Sequence, residues 1–239
     1  MSNLILPNER IDDLQFNNLK VIQNPKWFCF GVDAVLLADF APRGDFVVDF
    51  GTGCGIIPIL MSGKGKCGRA VGIEIQEGVA DMARRSIVLN ELTNVDIIHG
   101  DLKEVPLRDV DVVTCNPPYK EIGGGLLNED EPLMIARHEI MVTLEDVIRR
   151  AKDILRFHGK FCMIHRPERL ADIICLMRKY GLEPKRMRMV YPREGKPPNM
   201  VLIEGANGGK PKLICEAPLY VHEGDGYSAE INRIYVREV

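Results

Sequence analysis

Residues 46–55 have the sequence FVVDFGTGCG, a short apolar run followed by three alternating glycines. The run at 46–50 is rich in apolar and β-branched residues, as is typical of a parallel strand buried on both faces. Residues 56–61 then favour a helix, because Pro58 is compatible with a first helical turn. Glycines between a strand and a helix let the backbone turn tightly and let a ligand approach it closely. The stretch therefore predicts a strand, a ligand-binding turn and a helix in succession.

The same order of strand and helix recurs along the chain. Six further strands are predicted at 70–74, 95–101, 110–115, 159–165, 186–191 and 200–204, and four further helices at 34–40, 76–91, 143–157 and 168–180. This alternation predicts a doubly wound α/β fold with a mostly parallel, seven-stranded sheet. No helix separates the last two strands, so they predict an antiparallel terminal hairpin. Thr143 and Asp146 are suited to capping the helix that begins there.

Composition narrows the class of protein. The chain has 239 residues, 46% of them hydrophobic, which fits one globular domain with a full core. No apolar stretch reaches the ~18–20 residues of a membrane span, and the first residues lack the basic and apolar regions of a signal peptide. We therefore expect a cytoplasmic protein with no membrane partner. The seven cysteines include no Cys-x-x-Cys pair and no zinc-like spacing, so buried free thiols and no metal site are predicted.

The net charge of −3 conceals an uneven distribution. Residues 1–148 carry 13 basic against 23 acidic side chains, residues 149–196 carry 14 against 5, and residues 197–239 carry 4 against 6. A basic block within an acidic chain is a candidate footprint for a polyanion such as RNA. Solvated helix faces would produce the same counts, so charge alone leaves both interpretations open. The cations that are densest in the block are Lys185, Arg186, Arg188, Arg193 and Lys196.

The glycine turn has an acidic partner at a spacing that suggests an adenosine-type ligand. Glu74 ends the next predicted strand, 21 positions after Gly53, where an acid can hold a ribose diol. The turn lacks the spacing of an NTP-binding loop, and Ile56 replaces the last glycine of a dinucleotide fingerprint. Asp49 would repel a pyrophosphate but could hold an ammonium group. S-adenosylmethionine has an ammonium, a ribose and an adenine but no phosphate. Asp101 could contact its adenine. The simpler alternative is that Asp101 is an exposed acid at the end of a strand.

The predicted strand at 110–115 ends in the sequence NPPY at 116–119. Asn116 and Pro117 each precede a proline, so both are driven towards extended backbone and their carbonyls stay outside a helix. The Asn116 side chain and the Pro117 carbonyl are two acceptors beside the flat face of Tyr119. Such a group suits a planar NH₂, for example the amine of a nucleobase. A simple strand-ending turn would have the same sequence, but the glycine turn favours the functional interpretation.

These motifs resemble those of class I S-adenosylmethionine-dependent methyltransferases, which have a Rossmann-like sheet. The NPPY form resembles enzymes that methylate an exocyclic or amide nitrogen. Four further segments resemble the bacterial tRNA(Val) adenine-N6 methyltransferase family, which modifies the adenine next to the anticodon. They are RIDDL at 10–14, QNP at 23–25, FCFGVDAVLL at 28–37 and ARHE at 136–139. Val32 departs from the Thr expected in that family.

The resemblance implies roles for individual residues around the cofactor. Asp49 and the turn glycines would hold the methionine part of S-adenosylmethionine, Glu74 the ribose and Asp101 the adenine. Phe30 and Asp33 would close the pocket from the N-terminal segment. The residues so implied to contact the cofactor are Phe30, Asp33, Asp49, Gly51, Gly53, Gly55, Glu74, Asp101 and Asn116. The resemblance also implies that 1–44 is an N-terminal segment contributing to the pocket, 45–206 the methyltransferase domain and 207–239 a C-terminal part of the same domain.

The resemblance further implies how an RNA base would be handled. A flipped-out adenine would stack on Tyr119 and donate its amine hydrogens to the Asn116 side chain and the Pro117 carbonyl. Residues 120–138, with three glycines and four acids, are a candidate lid. The tRNA backbone would follow the basic block.

Other functions are compatible with the same motifs. A guanine-N2 rRNA methyltransferase would share them all. A protein glutamine N5-methyltransferase usually has a helical domain before the glycine turn, whereas only 48 residues precede Asp49 here. A non-catalytic binding module is disfavoured by the intact NPPY sequence, and a DNA adenine methyltransferase by the lack of an obvious target-recognition domain.

Overall fold

The structure is a computed structural model that describes residues 4–27, 29–117 and 142–235. At its centre is a nine-stranded sheet. The strands are β1 (Arg10–Asp13), β2 (Lys20–Gln23), β3 (Gly44–Phe50), β4 (Cys67–Glu74), β5 (Val95–His99), β6 (Val110–Cys115), β7 (Leu155–His165), β8 (Leu182–Tyr191), β9 (Met200–Asn207), β10 (Ile214–Cys215), β11 (Leu219–Tyr220), β12 (His222–Glu223) and β13 (Gly226–Tyr227). The helices are α1 (Val32–Phe40), α2 (Ile56–Gly63), α3 (Glu77–Leu89), α4 (Leu144–Ile154), α5 (Leu170–Lys179) and α6 (Ala229–Ile234), with a 3₁₀ turn at Pro167–Arg169. Within these ranges no helix is both long and apolar enough to cross a membrane.

The sheet confirms the predicted doubly wound α/β fold. Its central order is β5-β4-β3-β6-β7-β9-β8, in which β3 to β7 are mutually parallel and β9 is antiparallel to both of its neighbours. The antiparallel β8–β9 pair is the predicted terminal hairpin. The two-residue strands β10 and β11 add to β8 and bring the sheet to nine strands rather than seven. Segments this short show no periodic pattern in the sequence.

The sheet is buried on both faces, which explains its continuous apolar strands. Val47 and Val48 are neighbours on β3 and both have no exposed surface, but they belong to different cores. Val47 packs with the core under α1, α2 and α3, whereas Val48 packs with the core under α4 and α5. Because successive side chains point to opposite faces, one strand supplies both cores.

The end of α4 corrects the predicted helix at 143–157. The Thr143 hydroxyl and the Asp146 carboxylate form a capping box, as the sequence predicts, but the helix ends at Ile154. Leu155 has extended backbone and already pairs with Val110, so β7 begins four residues before the predicted start at 159. The register then shifts before pairing resumes, and this irregular start hides the strand from a periodic pattern.

The N-terminal segment forms an antiparallel hairpin of β1 and β2 that packs on α3. Ile22 is fully buried, and its backbone N–H donates to the Ser86 hydroxyl of α3 at 2.9 Å. At the same open end of the hairpin, Arg85 of α3 pairs with Glu9, the residue before β1, at 2.6 Å. Both contacts tie the hairpin to α3, which packs on the main sheet.

The cysteines are free thiols, as predicted, but their burial varies. Cys54, Cys115 and Cys162 are buried, whereas Cys175 and Cys215 are exposed. The prediction of buried thiols is wrong for the last two, because Cys175 lies on the outer side of α5 and Cys215 on a short edge strand.

Candidate functional site

The glycine turn lies where the order of the strands reverses, between β3 and β6. In open α/β sheets this is the position at which ligands bind, outside the carboxyl ends of the strands. Gly51, Gly53 and Gly55 have φ values of 63°, 57° and 82°, in the left-handed region that favours glycine. A Cβ added at Gly51 or Gly53 would have no neighbour within 4 Å among the described residues. The turn therefore presents bare backbone that no described residue covers.

Glu74 braces this turn from the end of β4. Its Oε2 accepts a hydrogen bond from the Gly53 N–H at 3.0 Å, and its Oε1 accepts one from the Gln76 N–H at 3.0 Å. The side chain is buried. Because a carboxylate has about four acceptor sites, both oxygens keep capacity for the hydroxyls of a ligand.

Asp49 is a buried carboxyl directly before the glycines. Its Oδ1 accepts from the Thr114 hydroxyl at 2.6 Å, and Oδ2 has no hydrogen-bond partner within the described ranges. Burial raises the pKa of Asp49 to about 7, although the Thr114 and Thr52 hydroxyls oppose the shift. A buried, incompletely paired acid of this kind favours a cationic group nearby, since that group would stabilise the carboxylate. The donor set at this turn therefore fits the ammonium, ribose and adenine of S-adenosylmethionine.

Asn116 follows β6 and lies next to the glycine turn. Cys115 pairs with Phe50 of β3, so the residues after them, Asn116 and Gly51, leave adjacent strands that are ~4.8 Å apart. The Asn116 Nδ2 donates to Asp33 Oδ2 at 3.0 Å. Asp33 lies in the first turn of α1 and is 7% exposed. The N-terminal segment thus contacts Asn116 at this point.

Phe30 is held close to the same region through its backbone. Its N–H donates to Gln23 Oε1 at 2.9 Å, and the Gln23 amide nitrogen donates to Asp12 of β1. The hairpin and the start of α1 are therefore joined by side-chain hydrogen bonds.

Asp101 lies two residues beyond β5, which ends at His99 rather than at the predicted 101. Its Oδ1 accepts from the Lys103 N–H at 2.9 Å, and the Lys103 ammonium is 3.3 Å from Oδ2. The preceding Gly100 N–H donates to the Glu74 carbonyl at 2.9 Å, so this acid is joined to the end of β4.

Pro117 ends the described part of the motif. Tyr119, Phe28, the candidate lid at 120–138 and the ARHE segment at 136–139 lie outside the described residues. Their predicted roles stay predictions.

Two of the predicted RNA contacts form ion pairs within the protein. Arg186 donates to Glu204 at 2.9 Å and to Glu216 at 3.1 Å, and its guanidinium lies 3.9 Å from the centre of the Phe40 ring. Arg188 donates to both oxygens of Glu230, at 2.7 and 2.8 Å. These pairs join the C-terminal segment to the edge of the sheet.

The other three cations differ in position. The Lys185 ammonium donates to the Lys210 carbonyl at 2.7 Å. Arg193 and Lys196 are exposed on the loop at 192–199 that joins β8 to β9. Because β8 is antiparallel to β9 and β9 is antiparallel to β7, β8 runs parallel to β6. The loop therefore starts from the same edge of the sheet as Asn116.

Two polar residues of the site were not singled out by the sequence. Thr114 is a fully buried hydroxyl within an apolar strand, and this contrast is a usable signal. Gln23 is 2% exposed and belongs to the QNP segment, but nothing local marks it as a support for Phe30. Across the described ranges no group of three or more His, Cys, Asp or Glu side chains is arranged to hold a metal ion.

The family model of the methyltransferase small domain matches residues 19–178. The chain belongs to the methyltransferase small domain family. Its glycine turn, Glu74 and Asn116 all fall within the matched residues. The predictions of a methyltransferase and of S-adenosylmethionine as its cofactor are confirmed.

Within this family the chain is similar to curated tRNA1(Val) (adenine(37)-N6)-methyltransferases. The protein of that name from Porphyromonas gingivalis is 28% identical over 231 residues, which cover 90% of each chain. The protein from Aeromonas salmonicida is 26% identical over 178 residues, covering 72% of this chain and 74% of the other. The resemblance found in the sequence motifs is thereby confirmed over most of the chain.

Solved structures share the fold. A crystal structure of a predicted O-methyltransferase from Agrobacterium tumefaciens has a TM-score of 0.66 at 23% identity, covering 85% of this chain and 95% of the other. A crystal structure of M. jannaschii TYW2 in complex with AdoMet has a TM-score of 0.57 at 15% identity, covering 83% of this chain and 85% of the other. Both likenesses show a shared α/β fold.

Proposed function

We propose that this methyltransferase transfers a methyl group from S-adenosylmethionine to N6 of an adenine in tRNA, namely the adenine next to the anticodon of a valine tRNA. The names of the curated relatives support the substrate. The observation that carries the proposal is the position of Asn116, directly after the strand that pairs with the strand leading into the glycine turn. An acceptor side chain there can hold an NH₂ group beside the cofactor.

The proposed cofactor site uses the residues around the turn. The negative charge of Asp49 favours the ammonium group, and the open backbone at Gly51 and Gly53 faces the methionine part. Glu74 accepts from the ribose hydroxyls, and Asp101 contacts the adenine. Phe30 and Asp33 cover the pocket from the N-terminal segment, and Gly55 begins α2.

The proposed chemistry relies on positioning and electrostatics. When bound, S-adenosylmethionine supplies an electrophilic methyl group on its sulfur. The amine of adenine is a weak nucleophile because its lone pair is delocalised into the ring. Asn116 Oδ1 and the Pro117 carbonyl each accept a hydrogen bond from the adenine NH₂ group. These two hydrogen bonds favour a tetrahedral nitrogen and direct its lone pair at the methyl carbon. No strong base is required, since the nitrogen becomes acidic once it is alkylated, and Tyr119 would stack on the base.

The proposed RNA footprint centres on the loop at 192–199. Arg193 and Lys196 are exposed on the edge that holds Asn116, and Lys185 lies on β8. Arg186 and Arg188 add positive charge, but their guanidinium groups already donate to carboxylates. Their contribution to RNA affinity should therefore be smaller than that of the loop cations.

The proposal is tested by methyl transfer from labelled S-adenosylmethionine to total tRNA, total rRNA and a release factor. Products are digested and identified by mass spectrometry, with Asn116→Ala as the inactive comparison. We expect N6-methyladenosine in tRNA with the wild type and a loss of about 10²-fold or more in turnover with the variant. N2-methylguanosine in rRNA, or methylglutamine in the release factor, would refute the adenine assignment.

A further inference from the structure

The hydrogen bond between Asn116 and Asp33 determines which end of the Asn116 amide faces a substrate. An Asn side chain carries a donor NH₂ and an acceptor oxygen on opposite sides of Cγ, whereas an ionised Asp can only accept. With Nδ2 donating to Asp33 Oδ2 at 3.0 Å, the Asn116 oxygen is turned away from the carboxylate. The reverse orientation would set two acceptors against each other without a hydrogen between them.

Asp33 is itself held firmly in place. It is 7% exposed in the first turn of α1, a helix packed against α2 and β7. Gly31 caps this helix, and a Cβ at that position would lie 2.8 Å from Asp33 Oδ1. A glycine is therefore needed there for the carboxylate to occupy its present position. The bonds from Phe30 to Gln23 and from Gln23 to Asp12 fix the approach of the chain to this helix.

We propose that Asp33 is a positioning residue that fixes the orientation of the Asn116 amide, so that Asn116 Oδ1 accepts from the NH₂ group to be methylated. This inference rests on the proposed function and goes beyond a part in closing the cofactor pocket. It assigns the N-terminal segment a task in the methyl-transfer step. A free Asn amide would present either end to the substrate, and only one end can accept.

The test is a charge exchange between the two positions. The proteins compared are the wild type, Asp33→Asn, Asn116→Asp and the double variant. In Asp33→Asn the new side chain can donate or accept, so the Asn116 orientation is no longer fixed and kcat should fall by about tenfold or more. In Asn116→Asp two carboxylates would face each other, and kcat should fall by about 10²-fold, with a shifted pH–rate profile.

The double variant distinguishes positioning from a general structural role. The new amide at position 33 can donate to the new carboxylate at position 116, whose other oxygen is again an acceptor for the substrate. We therefore expect kcat at least about tenfold above that of Asn116→Asp, with the KM for S-adenosylmethionine within about threefold of the wild type. A double variant no more active than the weaker single variant would overturn the proposal. So would an Asp33→Asn protein with a raised KM for the cofactor and an unchanged kcat.

Two controls make the outcome specific. Asp39→Asn removes another acid of α1, one that pairs with Lys64 instead, and should leave kcat within about twofold. Thermal unfolding and calorimetric binding of S-adenosylmethionine show whether each variant is folded. If the wild type methylates guanine or glutamine instead, the adenine assignment fails. The same four proteins, assayed on that substrate, still decide the role of Asp33, because guanine and glutamine are also methylated on an NH₂ group.

Discussion

Glu74 Oε2 accepts a hydrogen bond at 3.0 Å from the backbone N–H of Gly53, which precedes it by 21 residues. The bond joins the end of β4 to the glycine turn after β3, the two elements that would surround the ribose and the methionine part of the cofactor. A buried acid thus braces the turn.

Glu74→Gln should weaken cofactor binding. The amide keeps one acceptor oxygen but places an NH₂ group against one of the two backbone N–H donors, at Gly53 or Gln76. We expect the Kd for S-adenosylmethionine to rise by about tenfold or more, as measured by calorimetry. Glu77→Gln, at the exposed start of α3, should leave the Kd within about twofold. An unchanged Kd in Glu74→Gln would remove this residue from the site.

Cofactor affinity should depend on pH through Asp49. Burial raises the pKa of this carboxyl to about 7, so it is largely protonated at pH 6 and largely ionised at pH 8. A cationic ligand favours the ionised form. The affinity for S-adenosylmethionine should therefore increase between pH 6 and pH 8, by at most about tenfold per pH unit. The same binding measurements on Asp49→Asn are the control, and its affinity should not show this increase with pH. If the wild type and Asp49→Asn have the same pH profile, Asp49 plays no part in binding the cofactor.

Folding stability should show the opposite dependence on pH. Because the folded state raises the pKa of Asp49 from 3.8 to about 7, the folded protein holds a proton that the unfolded chain has released. Stability from this group is present at low pH and is lost as pH rises towards 7, by up to about 4 kcal/mol. The free energy of unfolding of Asp49→Asn, relative to the wild type, should thus increase between pH 4 and pH 7 in urea denaturation. A constant difference across that range would contradict the raised pKa.

Arg188→Ala should destabilise the C-terminal segment. Arg188 donates to both Glu230 oxygens and to the Ala217 carbonyl at 2.8 Å, and its side chain is 17% exposed. Its removal leaves a half-buried acid without its cation, which costs about 1–3 kcal/mol. Hydrogen exchange should become faster at 216–235. Lys179→Ala should change stability by less than about 1 kcal/mol, because the side chains of Lys179 and its partner Glu145 are 60% and 43% exposed.

RNA binding should depend on the loop cations more than on cations at the opposite edge. Arg193→Ala and Lys196→Ala should each weaken tRNA binding and reduce the slope of log K against log salt by about 0.7–0.9. Arg43→Ala is the matched control, because this exposed arginine precedes β3 at the amino edge of the sheet. If Arg43→Ala has the same effect as the loop variants, the footprint lies elsewhere.

Local patterns were sufficient for most of the fold and part of the site. The strand at 110–115 was predicted with its observed bounds, because a strand buried on both faces is a short, mostly apolar and β-branched run. The place of Glu74 beside the glycine turn also follows from the sequence, since one helix separates two adjacent parallel strands and sets the spacing. The capping box of α4 could also be predicted, because Thr143 and Asp146 are only three residues apart in the sequence.

The sequence by itself thus determined the doubly wound fold, the methyltransferase motifs and their order along the chain, because these depend on short-range patterns. Only the tertiary structure decided the partners of Asp33 and Arg186. Asp33 meets Asn116 across 83 residues, through the packing of α1 on the sheet. Arg186 meets Glu204 and Glu216 because an antiparallel strand and the C-terminal segment flank β8. A count of charges cannot distinguish a cation available to RNA from one already paired, since pairing is a property of distance in space.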